Sequence, residues 1–247
     1  MTDVSEPTSL VPHSDRLTAA AKLCGYSDVN RYLSRAEFLF EGVDPRGKHV
    51  LDVGCGRGAW ALWAGLNGAS RVLGIEPEVA GSTSGSFAKF QEAIPQLGLA
   101  SVVSAKAVDA LELSTSPFDI IVLYNVINHF SEDRTRTLDR PESRLYYQNV
   151  FRHLASLLRS GGTIIIADCA RRNFFGDLKV RNPMVPDIDW PLHRSPGDWF
   201  DIMKDVGFRW LDLRWSYLYP FTWLPMHRVL AYLTTSHFVL RAKRVES

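Results

Sequence analysis

The sequence predicts an α/β fold, a doubly wound and mostly parallel sheet flanked by helices, on three observations. A β-branched apolar run, Val50–Val53, meets a glycine-dense turn at Gly54, Gly56 and Gly58 and passes into the helix-compatible stretch Ala59–Leu66. Further apolar runs recur downstream, and two of them, Arg71–Glu76 and Thr163–Asp168, end in a carboxylate. The chain has 247 residues, 46% hydrophobic and 22% charged, which is enough to bury one full core and places residues 15–247 in a single domain.

The elements follow in order. Met1–Ser14 is polar, carries acids and proline, and lacks the basic-then-apolar order of a signal peptide, so it reads as a loose tail. Between Asp15 and Glu41, Leu17, Ala20, Leu23, Tyr32, Leu33, Ala36 and Leu39 fall at helical spacing, which predicts two short helices broken near Gly25. After the first strand, the glycine turn ends at a helix N-terminus, where free N–H groups favour an electron-rich ligand. The second strand ends at Glu76, placed to accept hydrogen bonds from ribose hydroxyls. Ser82–Gln96 predicts a helix with Phe87 and Phe90 in the core, and Ser101–Ala105 a third strand followed by Asp109.

Asp119 opens a very apolar fourth strand whose polar residues gather at its end, the edge where open α/β sheets bind ligands. Ser131–Ser143 reads as a polar loop or rim, and Leu145–Leu158 as a helix with Tyr146, Val150, Leu154 and Leu157 on its core stripe. The Gly161–Gly162 pair ends that helix and opens a buried fifth strand finishing at Asp168. Residues 171–194 are aromatic and proline-punctuated and form an excursion over the ligand edge. Ser195–Trp199 is a capped helix start that leads to a sixth strand after Gly207, and Ser236–Ala242 is the seventh. Residues 217–233 form a second excursion, too short and too proline-rich for a membrane span, with three uses: a buried lid, a homodimer contact, or a touch on a membrane surface or lipid-linked acceptor.

A formal net charge of +1 with scattered basic residues gives no electrostatic case for nucleic acid and favours a small-molecule partner. Cys24, Cys55 and Cys169 are odd in number and show no C-x-x-C spacing, which argues against a disulfide framework or a zinc site and suits the cytoplasm.

The glycines alternate as G-x-G-x-G after Asp52, unlike the G-x-G-x-x-G of dinucleotide dehydrogenases. Here the sequence resembles the class I methyltransferases that use S-adenosylmethionine, and four further stretches match in order: Arg71–Pro77, Ala107–Leu111, Pro117–Phe130 and Leu157–Asp168. The resemblance implies a Rossmann-like seven-stranded sheet with an antiparallel last strand, and N-terminal helices lying across the cofactor cleft. It implies S-adenosylmethionine as cofactor and S-adenosylhomocysteine as product. It assigns cofactor binding to Asp52, Gly54, Cys55, Gly56, Glu76, Pro77, Asp109, Ala110 and Asn125.

A sulfonium methyl is already electrophilic, so such an enzyme mainly holds cofactor and nucleophile in line and excludes water. A hydroxyl acceptor also gains from a general base. His129, just past the fourth strand, is the first candidate, and the family's sugar O-methyltransferases imply Asp168 as its partner; a structural place in the cleft wall is the other reading of His129. His193 and Tyr32 are candidate acceptor contacts, with ordinary packing as their alternative, as for Arg35. No metal is expected, because the fourth motif lacks the acids and amides of a magnesium site. The expected activity is methylation of a hydroxyl on a sugar-like or secondary metabolite. N-methylation of an amino sugar or amine, and a catalytically silent cofactor-binding module, are the alternatives.

Overall fold

The computed structural model describes residues 12–77, 85–216 and 228–245. Seven strands, His49–Val53 (β1), Arg71–Ile75 (β2), Val103–Lys106 (β3), Phe118–Tyr124 (β4), Leu158–Cys169 (β5), Phe208–Trp215 (β6) and His237–Arg244 (β7), form one sheet. Their order is β3-β2-β1-β4-β5-β7-β6, with β7 antiparallel to both of its neighbours and the rest parallel. This is the Rossmann-like doubly wound arrangement, and its ligand edge lies at the C-terminal tips of the parallel strands.

Both faces of the sheet are apolar, which is why its central strands read as unbroken hydrophobic runs. Val50, Ile120, Val122, Ile165 and Ala167 point to one core, where helices His13–Leu23 (α1), Val29–Phe40 (α2), Ala59–Leu66 (α3) and Ser86–Gln96 (α4) pack. The alternate residues Leu51, Val53, Ile121, Leu123, Ile164 and Ile166 enter the other core. That core is covered by Pro141–Ser156 (α6) and Pro196–Met203 (α8), with Tyr147, Phe151 and Trp199 in edge-on contact. At the edge opposite the ligand side, Asp119 ties three strands by accepting from the His49 backbone N–H at 2.8 Å and pairing with Arg159 at 2.8 Å.

Several expected boundaries move, each for a physical reason. His13 and Ser14 belong to α1, with Pro12 at its N-cap, and only residues 1–11 of the expected tail lie outside the described residues. The helix expected over Ser82–Gln96 is α4 from Ser86, its first residues being outside the described part. The third strand begins two residues late, at Val103.

The largest shift is in β5. The strand starts at Leu158, before the glycine pair, while α6 runs from Pro141 to Ser156. Pairing with β4 slips from Phe118–Leu158 to Ile120–Thr163, and left-handed Gly161 (φ +71°) absorbs the excess chain. On α6 the buried stripe is Tyr147, Val150, Phe151 and Leu154, with Tyr146 only partly covered.

Ser131–Ser143 is not a bare loop. It contains a short helix, Glu132–Arg136 (α5), and buries Thr135 and Ser143. The Thr135 hydroxyl bonds the Tyr147 hydroxyl and lies 3.0 Å from the Asn128 carbonyl, and buried Arg194 donates to the carbonyls of Thr135 and Arg136 at 2.8 and 2.7 Å. These partners offset the cost of enclosing polar groups and fix the start of the 171–194 excursion's return.

The excursion itself includes a five-residue helix, Phe174–Leu178 (α7). Ser195 opens α8 with a reciprocal capping box to Asp198. Of the second excursion, residues 217–227 lie outside the described part and Arg228–Tyr232 form a short helix (α9). Among the described residues no helix is long and apolar enough to cross a membrane.

Candidate active site

The glycine turn follows β1 and is clamped from two sides. The Cys55 N–H donates to the Ile75 carbonyl at 3.0 Å, and the Glu76 carboxylate accepts from the Gly56 N–H at 2.9 Å, so the end of β2 shapes the turn directly. Gly56 sits at φ +51° with nothing within 4 Å of where a Cβ would be, an open face against which a ligand can lie. Gly58, at φ +74°, instead presses on the Phe90 ring and starts α3.

Asp52 is buried and accepts from the Ala61 N–H at 3.0 Å in the first turn of α3. Burial pushes its pKa up to about 7, with the nearby Glu76 carboxylate adding to the effect. Its carboxylate supports the turn from behind, tying the end of β1 to the start of α3. Cys55 is buried too, and contributes its backbone. Pro77 follows Glu76, half-buried.

Past β3, Asp109 is exposed and caps a short helical turn by accepting from the Leu111 N–H at 2.7 Å. Ala110 packs inward, its carbonyl 2.9 Å from His153 Nε2 on α6, so its side chain does not reach the cleft. Asn125, in a left-handed conformation at φ +54° after β4, donates its N–H to Ala167 and lines a pocket.

That pocket, about 230 Å³, lies over the tips of β4 and β5 and the start of β7. Arg31 and Arg35 of α2 form one wall, Tyr124, Cys169 and His237 the floor, and Met184 and Val185 of the excursion another side. No motif in the sequence marks His237. Its Nδ1 lies 2.6 Å from Ser216 Oγ, its Nε2 has no partner among the described residues, and burial pushes its pKa down to about 4, so the ring is neutral at pH 7.

Two sequence expectations are corrected here. The imidazole that meets Asp168 is His193, not His129. Buried Asp168 accepts from Asn128 Nδ2 at 2.7 Å and from the Cys169 N–H at 2.7 Å, and lies 2.9 Å from His193 Nδ1. His129 is exposed and pairs with Glu132 at 3.1 Å, because the helical turn Ile127–Phe130 points Asn128 inward and His129 out. Tyr32 is fully buried, stacks on Trp60 and donates its hydroxyl to the Ala59 carbonyl at 3.0 Å, so it braces the start of α3 instead of touching an acceptor. Among the described residues no group of three His, Cys, Asp or Glu side chains is arranged to hold a metal.

Residues 27–213 match the family model described as a methyltransferase domain. The chain belongs to this family. Among solved structures, the methyltransferase is similar to geranyl diphosphate C-methyltransferase from Streptomyces coelicolor, at 15% identity and TM-score 0.62 over 89% of this chain and 82% of that one. It is also similar to the cyclase SpnF (17%, TM-score 0.61, 94% of each chain) and to magnesium protoporphyrin IX methyltransferase from Synechocystis (16%, TM-score 0.58, 94% and 95%). At such identities the likeness speaks for the fold, and a cyclase among the neighbours shows that one fold hosts several chemistries. No curated protein sequence matches the chain.

The methyltransferase uses S-adenosylmethionine, and the first half of its ligand edge fits that molecule. Glu76 has one carboxylate oxygen anchored to Gly56, while the other has no hydrogen bond among the described residues and is open to ribose hydroxyls. We expect Glu76→Ala to weaken S-adenosylhomocysteine by about ten- to a hundredfold, since a charged carboxylate receiving hydroxyl hydrogen bonds contributes roughly 1.5–3 kcal/mol. Calorimetric titration of the folded variant measures this, and unchanged affinity would remove Glu76 from the cofactor site.

Proposed function

We propose that the methyltransferase moves a methyl group to a hydroxyl of a small sugar-like or other secondary metabolite. His193 serves as general base and Asp168 is its positioning residue. The observation that carries this reading is the contact between buried Asp168 and His193 Nδ1. A proton on Nδ1 makes that contact a hydrogen bond and leaves Nε2 with its lone pair. The carboxylate then stabilises the imidazolium formed when the hydroxyl gives up its proton.

Location supports the assignment. Cys169, next to Asp168, and Met184 and Val185, from the same excursion as His193, line the pocket, and His237 on its floor is close enough to feel the charge of Asp168. A cavity of about 230 Å³, just under the roughly 300–1,000 Å³ of drug-sized ligand pockets, restricts the acceptor to a small metabolite or to one part of a larger one. Three free cysteines accord with a reducing, cytoplasmic setting.

The test is turnover with methyl-labelled S-adenosylmethionine against matched hydroxyl and amine acceptors. Methyl ethers as the main products support the proposal. Methylation confined to amines overturns it, as does cofactor binding with no transfer to any acceptor.

A further inference from the structure

The acceptor pocket carries positive charge with nothing among the described residues to neutralise it. Its lining includes two arginines, Arg31 and Arg35, and no carboxylate. They stand one helical turn apart on α2, on the same face. Neither forms an ion pair among the described residues, in contrast to Arg46, Arg159, Arg214 and Arg241, each of which meets an acid. Arg35 is half-buried, and its contacts are with the phenol of Tyr26, whose ring lies 5.8 Å from the guanidinium.

The other wall groups stay neutral. Burial pushes the Tyr124 phenol and the Cys169 thiol up to about 12, and His237 down to about 4. Asp168 lies behind Cys169 and is already engaged by three donors. A half-buried guanidinium without a counter-ion is costly, and a planar fork beside a second cation is suited to carboxylate or phosphate oxygens.

We propose that Arg31 and Arg35 form an anion subsite that receives a carboxylate or phosphate group of the acceptor. The substrate is thus an acidic hydroxylated metabolite. This rests on the reading of the pocket as the acceptor site. It is placed with the acceptor because the pocket spans β4, β5 and β7, whereas Glu76 follows β2, two strands from β4 and three from β5, or roughly 10 to 14 Å. The cofactor also carries a carboxylate, so the experiment separates the two sources.

Wild-type protein, Arg31→Gln and Arg35→Gln, each saturated with S-adenosylhomocysteine, would be titrated with inorganic phosphate and with benzoate at fixed ionic strength, followed by NMR. Saturable binding in the wild type, weakened about tenfold or more in both variants and unchanged in Arg46→Gln, is the expected result. Arg31 is exposed, so its variant keeps the test valid if Arg35→Gln fails to fold.

No saturable binding of either probe, or equal binding in all proteins, overturns the proposal. A second arm compares S-adenosylhomocysteine with 5′-methylthioadenosine, which lacks the amino-acid end. If the variants weaken only the former, the arginines hold the cofactor and the proposal falls. Anion binding in an enzyme that never methylates hydroxyls would defeat the proposed reaction alone. Hydroxyl methylation with no preference for acids would defeat this inference alone.

Discussion

Replacing His193 by alanine is expected to lower kcat by about a hundred- to a thousandfold while leaving KM for S-adenosylmethionine close to its starting value. The size follows if His193 is the proposed base that takes the hydroxyl proton as the new bond forms, and the split follows from position, since Asp168 on β5, which His193 meets, lies two strands along the ligand edge from the glycine turn after β1. Asp168→Asn should lose less, because an amide at that place can still accept from the Cys169 N–H but no longer stabilises an imidazolium. His129→Ala is the control: its ring is exposed and paired only with Glu132, so its rate should stay within about twofold of wild type. Steady-state kinetics on the best acceptor reads all three. A loss confined to His129→Ala would return the base to the end of β4, and partial rescue of His193→Ala by added imidazole would mark the defect as chemical.

Gly58→Ala is expected to cost about 2–5 kcal/mol of stability, most of it at one point of contact. An L-residue in the left-handed region at φ +74° costs roughly 1–2 kcal/mol, and forcing a methyl into a filled core about 1–3 more. The added carbon would overlap the Phe90 ring, and that ring is hemmed in by Gly74 on β2 and by Phe87. For a chain of this size the melting temperature should drop by roughly 5–15 °C. Gly56→Ala makes the contrast, since its new methyl meets no protein atom and projects into the open face. That variant keeps only the backbone cost of roughly 1–2 kcal/mol at φ +51°, so it should melt closer to wild type than Gly58→Ala and lose affinity for S-adenosylhomocysteine. Thermal denaturation with and without ligand distinguishes the two, and equal melting of both variants would show that the Phe90 contact does not hold the turn.

What was readable in the sequence was local. The glycine turn, Glu76 and the opening of β4 at Asp119 are each announced within a few residues by apolar runs meeting turn or acid, and the sheet follows from them. The start of β5 was hidden because a glycine pair normally stops a helix, whereas Gly161 here absorbs a slip in strand pairing. Thr135 and Ser143 looked solvated because nothing in a polar stretch tells that Tyr147, Arg194 and Thr137 will come to partner them. The pairing of Asp168 with His193 instead of His129 is a contact across 25 residues of proline-broken chain, which no periodicity encodes. His237 gave no sign in advance, because a histidine opening an apolar strand reads as an edge residue until β7 inserts between β5 and β6.

That insertion has a further consequence. Running against its neighbours, β7 brings both ends of the β6–β7 connection to the ligand edge, beside the return of the 171–194 excursion. Under the proposed function the edge then divides into two stations, β1 and β2 on the reagent side and β5, β7 and their attached loops on the selecting side, with the tip of β4 shared between them. On that reading, exchanging the two loops with the seven strands left in order is expected to change which acceptor is served while the methyl donor stays the same.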